Sequence, residues 1–81
     1  MNKEELGKKV RGIILDYSGL ELEDIVDNAD FYNDLGFDSI DGIELVMRIE
    51  KELKVNISDE DAEAIKNVGG LIEYLNKLPI K

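Results

Sequence analysis

Apolar residues in this chain recur at helical spacing, and nowhere do they sustain the alternate-residue rhythm of a strand. Leu6, Val10, Ile13, Ile14 and Tyr17 fall on one face at i, i+4, i+7, i+8 and i+11. They predict a first helix from about Lys3 to Tyr17, stopped by Ser18-Gly19. Glu4–Lys8 and Glu5–Lys9 are favourable i,i+4 pairs on its outer side. Gly7 and Gly12 inside it each cost up to about 1 kcal/mol relative to alanine.

Leu20 to Phe37 has no sustained period but scatters Leu22, Ile25, Phe31 and Leu35 among acids. It reads as a long loop pinned to the core at those apolar points, the kind of loop that often carries function. A second helix is expected from Asp38 or Ser39 to about Lys54, with Asp38 as N-cap and Asp41 facing the positive helix end. Val55-Asn56-Ile57 is an extended break too short to seed a sheet. Ser58-x-x-Asp61 resembles a capping box opening a short helix, Asp59 to Ile65. Asn67 can cap a last helix bearing Val68, Leu71, Ile72 and Leu75, with Pro79 as its stop. The expected fold is all-α: a four-helix bundle of three longer helices and one short one, with a long loop between the first two. Eighty-one residues make one domain, 1–81.

The chain has no histidine and no cysteine. That removes the usual general base, the commonest zinc ligand, thiolate nucleophiles and disulfides. No catalytic residue and no metal ligand set is therefore expected, and an enzyme is disfavoured. The charged N-terminus lacks the apolar core of a secretory signal, and no apolar run approaches the ~20 residues needed to span a bilayer. The expected compartment is the cytoplasm or an organelle interior, without membrane insertion.

Net charge is −9, and ten acids between Gly12 and Met47 meet no lysine or arginine. Direct nucleic-acid binding is excluded, because phosphate contacts need clustered basic residues. Such a run is either a solvated face or a surface that steers basic partner proteins.

The second helix is wider in its apolar face than a bundle requires. Leu45, Val46, Ile49 and Leu53 fill one half; Ile40, Ile43 and Met47 fill the other. Together they span about 220° at ~100° per residue, whereas a core-facing stripe needs little more than ~100°. Either the helix is buried on most sides, or an apolar strip rimmed by Asp41, Glu44 and Glu50 is exposed for partners, centred on Ile40, Glu44 and Met47. Met47 suits such a strip because its thioether adapts to different surfaces.

Ser39 stands between two aspartates at the head of this helix, with no base to activate it. It is either a plain cap residue or a hydroxyl placed for modification, since a helix N-terminus favours an attached phosphodiester. The run F-Y-N-D-L-G-F-D-S-I-D-G-I-E-L-V-M-R-I-E, Phe31 to Glu50, resembles the acyl carrier proteins. The likeness continues through N-I-S-D-E-D-A-E at Asn56 to Glu63 and, less strongly, V-G-G-L-I-E-Y-L at Val68 to Leu75.

The resemblance implies that Ser39, flanked by Asp38, accepts 4′-phosphopantetheine from coenzyme A through a dedicated transferase with a divalent metal. The thiol of that group then carries acyl chains as thioesters among acyl-transfer, condensing and reducing enzymes. It further implies a monomer that shelters the acyl chain among Phe31, Val46, Ile49, Ile57, Ala62, Ile65 and Leu71. Phe37, Gly42, Ser58 and Gly69-Gly70-Leu71 depart from the common family pattern. Three readings stay open: a fatty-acid carrier, a dedicated carrier for a polyketide or unusual lipid, and an acidic module that carries nothing. A calcium-binding EF-hand fails on spacing, because Gly36 would need a ligand at Phe31 and Glu44 one at Phe37.

Overall fold

The computed structural model describes residues 2–78. Four α-helices succeed one another: α1 Lys3–Ser18, α2 Ser39–Leu53, α3 Asp59–Ala64 and α4 Val68–Asn76. Each starts where a side chain accepts a backbone N–H three residues on, from Asn2, Asp38, Ser58 and Asn67 respectively. These short-range bonds satisfy donors that a helix leaves orphaned at its start, which is why the starts fall where capping residues stand in the sequence. The bundle agrees with the sequence expectation, with α1 extending to Ser18 and α3 stopping at Ala64. Pro79, expected to stop α4, lies outside the described residues. At α3 the expected box is one-way: Ser58 Oγ accepts from Asp61 N at 3.1 Å, while the Asp61 carboxylate binds the Tyr74 hydroxyl instead.

One core holds the bundle, built from Leu6, Val10 and Ile14 of α1, Leu45, Ile49 and Leu53 of α2, and Val68, Leu71, Ile72 and Leu75 of α4. Helix α1 packs against both α2 and α4. Helix α3 buries no residue fully. The i,i+4 pairs expected on α1 are not among the ion pairs formed; Lys3 pairs with Glu73, and Arg11 with Asp27 at 2.6 Å. Both pairs tie α1 to other segments.

The long loop is ordered, as its apolar residues require, but the anchors differ from those expected. Ile25, Phe31 and Leu35 are buried, and so are Ala29 and Phe37. Leu22 instead sits in a 3-10 turn, Leu22–Asp24, and is 58% exposed, because that turn lies on the outer side of the loop. Backbone bonds stitch the loop to the start of α4: Phe31 N to Lys66 O at 3.1 Å, Val68 N to Ala29 O at 3.1 Å, and Gly69 N to Asp27 O at 2.7 Å. A Cβ at position 69 would come within 3.0 Å of the Asp27 carbonyl oxygen, so this approach needs glycine.

Candidate functional site: the head and outer face of α2

The acids that precede α2 are largely structural acceptors. Asp30 Oδ1 accepts from Tyr32 N at 2.8 Å and Asn33 N at 2.9 Å, and Asp34 Oδ2 accepts from Asp30 N at 2.7 Å. Phe37 N then donates to Phe31 O at 2.8 Å. Between the buried side chains of Leu35 and Phe37, Gly36 takes φ 72°, a left-handed conformation that glycine adopts without strain. The turn delivers Asp38 in extended geometry as the N-cap of α2.

Asp38 and Asp41 form a reciprocal box. Asp38 Oδ1 accepts from Asp41 N at 2.8 Å, and Asp41 Oδ2 accepts from Asp38 N at 3.1 Å. Gly42 N donates to Asp38 O at 3.0 Å. Among the described residues, the amides of Ser39 and Ile40 find no protein acceptor. Ser39 is the first residue of the helix and is exposed. Its hydroxyl takes part in no hydrogen bond among the described residues, whereas Ser18 Oγ accepts from Leu20 N and Ser58 Oγ from Asp61 N. Of three serines, only Ser39 presents an uncommitted hydroxyl, beside two free N–H groups at the positive end of a fifteen-residue helix. Those features fit a phosphodiester, while the charges of Asp38 and Asp41 are held against the cap amides.

Ile40, Ile43 and Met47 are 61–64% exposed, whereas Leu45, Ile49 and Leu53 are buried and Val46 is half-buried. The apolar arc of α2 is therefore split between core and solvent. Two of the acids expected on its rim are committed inward. Asp41 is half-buried, with Oδ2 on Asp38 N and Oδ1 on the Tyr17 hydroxyl at 3.1 Å. Glu50 is half-buried because Oε2 accepts from Ile57 N at 2.8 Å, which secures the α2–α3 connection. Glu44 is exposed, with Oε2 on the Tyr17 hydroxyl at 3.0 Å. Next to Met47, Arg48 and Lys51 border an open groove of about 890 Å³ between α1 and α2.

Phe31, Ile49, Ile57 and Leu71 are core residues, and Val46, Ala62 and Ile65 pack against that core. Ile65 also borders an open depression of about 350 Å³ with Asp61, Asn67 and Tyr74.

Tyr17, Phe37 and Arg48 belong to the site although the sequence did not single them out for it. The rings of Tyr17 and Phe37 meet edge-on with centroids 5.8 Å apart, and Phe31 lies 5.8 Å beyond Phe37. The Arg48 guanidinium lies 5.8 Å from the Tyr17 ring centroid and pairs with Asp16 at 3.5 Å. Partial burial, then the hydrogen bonds to Glu44 and Asp41, hold the Tyr17 hydroxyl well above the usual tyrosine range. One signal was available: Tyr17 closes the apolar face of α1 yet carries a polar tip, and a buried tyrosine hydroxyl usually finds a partner.

A family model for the phosphopantetheine attachment site matches residues 8–75. The chain is 45% identical over 73 residues to the acyl carrier protein of Bradyrhizobium sp. strain ORS 278, covering 90% of this chain and 92% of that one. It is 45% identical over 75 residues to the acyl carrier protein of Cyanidium caldarium, covering 93% and 87%. The class is thus a phosphopantetheine-bearing carrier. Within it, the chain belongs to the acyl carrier protein family, which carries acyl groups rather than catalysing their chemistry. Its cofactor is covalently bound 4′-phosphopantetheine.

Proposed function

We propose that Ser39 is the attachment residue and that the loaded protein serves fatty acid biosynthesis in the cytoplasm as a monomeric, single-domain carrier. The observation that carries this reading is the uncommitted, exposed hydroxyl at the first position of a doubly capped helix. Attachment forms a bond from Ser39 Oγ to the phosphorus of the pantetheine arm as the pyrophosphate bond of coenzyme A breaks. Adenosine 3′,5′-bisphosphate is the leaving group, and the serine proton passes to a base of the transferase. The arm's thiol supplies the thioester chemistry that this cysteine-free chain lacks. The free amides of Ser39 and Ile40 would hold the phosphate of the bound arm, and Asp38, beside Ser39, would meet a divalent cation or basic group brought by the transferase. Ile40, Ile43, Met47 and Glu44 form the docking strip for the transferase and for acyl-transfer, condensing and reducing enzymes. The net charge of −9 gives the molecule a negative field that steers basic partners. An acyl chain enters by parting Val46, Ala62 and Ile65, the half-buried margin of the core, toward Phe31, Ile49, Ile57 and Leu71.

The test is intact mass and kinetics after incubation with coenzyme A and a phosphopantetheinyl transferase. The wild-type chain gains one arm, and Ser39→Ala gains none while keeping its helical circular dichroism. Met47→Ala and Glu44→Lys, which truncate or reverse the strip, raise KM. Modification of Ser39→Ala would overturn the attachment assignment, and unchanged KM in both strip variants would move docking elsewhere. Mass spectrometry of the protein from its native cell separates a fatty acyl cargo from a polyketide one.

A further inference from the structure

One side chain from another helix grips the polypeptide on both sides of Ser39. The Tyr17 ring packs edge-on against Phe37, two residues before the serine, with centroids 5.8 Å apart at 61°. The Tyr17 hydroxyl lies 3.1 Å from Asp41 Oδ1 and 3.0 Å from Glu44 Oε2, two and five residues after it. A phenol has one proton, so it donates to one of these carboxylates at a time. The two acceptors are not equivalent. Asp41 is half-buried and its other oxygen is fixed on Asp38 N, whereas Glu44 is exposed on the partner strip.

Resting on the assignment of Ser39 as the attachment residue, we propose that Tyr17 is a positioning residue that holds Ser39 for modification. Its hydroxyl transfers its hydrogen bond from Glu44 to Asp41 when a basic group of the docked enzyme takes Glu44. The exchange leaves no acceptor stranded: Glu44 gains a cation, and Asp41 gains the donor that steadies the cap next to the serine. Docking on the strip is thereby coupled to the geometry of the reacting hydroxyl. Arg48, 5.8 Å from the ring centroid and paired with Asp16, keeps the ring in place while the bond changes partner.

The molecule contains its own control. Tyr74 makes a bond of the same kind, hydroxyl to Asp61 Oδ2 at 2.8 Å, joining α4 to α3. A purely structural tyrosine–carboxylate bond would behave alike in both places. The experiment is steady-state modification by a phosphopantetheinyl transferase with coenzyme A, using the wild-type chain, Tyr17→Phe, Tyr17→Leu, Tyr74→Phe and Glu44→Gln. Tyr17→Phe keeps the ring and is expected to lower kcat about three- to tenfold, the share of a lost charge-assisted bond felt at the serine, with KM nearly unchanged. Tyr17→Leu lowers kcat further, and Glu44→Gln raises KM but keeps kcat.

Tyr74→Phe leaves both constants at their wild-type values. Wild-type kcat in Tyr17→Phe, or an equal fall in Tyr74→Phe, overturns the positioning role; a kcat loss in Glu44→Gln matching that of Tyr17→Phe overturns the transfer of the bond. Should Tyr17→Leu fail to fold, Tyr17→Phe decides alone, because it deletes one oxygen. Absence of modification at Ser39 in the wild-type chain refutes the attachment reading instead, so the two failures are distinguishable.

Discussion

Helices α2 and α3 start from the same parts. A capping side chain, Asp38 or Ser58, accepts the N–H three residues on, and the residue so bound, Asp41 or Asp61, accepts a tyrosine hydroxyl from another helix. Beyond the cap the two helices diverge. Helix α2 runs fifteen residues and anchors its body with Leu45, Ile49 and Leu53; α3 runs six and buries none fully. The first helical residue is a serine with a free hydroxyl in α2 and an aspartate in α3. The outer side of α2 carries an apolar strip, Ile40, Ile43 and Met47, among charged residues, whereas Asp59, Glu60 and Glu63 make that of α3 acidic. Capping therefore does not mark a site. It fixes where a helix starts, and function comes from the groups that the fixed start presents and from how rigidly the body behind it is held.

The largest effects should separate the two bodies. Ile49→Ala, at a fully buried position of α2, should cost about 2–5 kcal/mol and lower the melting temperature of the whole domain. Ala62→Gly in α3 should cost about 1 kcal/mol and speed hydrogen exchange at α3 amides first, since a short helix without a buried anchor opens locally. Circular-dichroism melts with residue-resolved exchange distinguish these outcomes. Exchange rising equally in all helices of Ala62→Gly would mean that α3 is part of one cooperative unit.

The caps come next. Asp38→Ala removes a reciprocal box and should cost about 1–2 kcal/mol, whereas Ser58→Ala removes a one-way cap and should cost about 0.5–1 kcal/mol. Equal losses in urea titrations would show that the second bond of the box adds nothing.

Both helix starts could be read from sequence because a capping acceptor and its N–H donor lie three residues apart and need no tertiary information. The exposed apolar strip of α2 could be read because Ile40, Ile43 and Met47 exceeded what a core-facing stripe requires. The fates of Asp41 and Glu50 could not. Each is a surface acid by composition, and only the fold brings the Tyr17 hydroxyl, 24 residues away, or the Ile57 amide, seven residues away across a break, to its oxygens. Leu22 failed for the complementary reason: apolar character says that a loop residue can be buried, but the turn decides which way it points. The crowded acids likewise proved to be caps, loop acceptors and ion-pair members, roles that a charge count cannot distinguish.

The smallest expected effect is confined to alkaline pH, and it compares the two tyrosine bonds directly. Partial burial and acceptance by Glu44 and Asp41 raise the Tyr17 hydroxyl far above its ordinary 10.0. The bond to Asp61, with lesser burial, raises that of Tyr74. Below about pH 10 both hydroxyls are protonated in folded and unfolded chains alike, and the stabilisation is fully present. Above it the unfolded chain releases these protons while the folded chain retains them, so the folded state binds more protons and stability falls as pH rises. Tyr17→Phe lacks one of these groups. Its melting temperature should lie below wild type at about pH 8 and converge on wild type as pH approaches about 11, with lysine titration common to both chains. Convergence should be weaker for Tyr74→Phe, whose hydroxyl has a single carboxylate partner rather than two. Parallel curves for wild type and Tyr17→Phe across that range would show that the hydroxyl between Asp41 and Glu44 titrates as if free, and the grip on both sides of Ser39 would lose its electrostatic half.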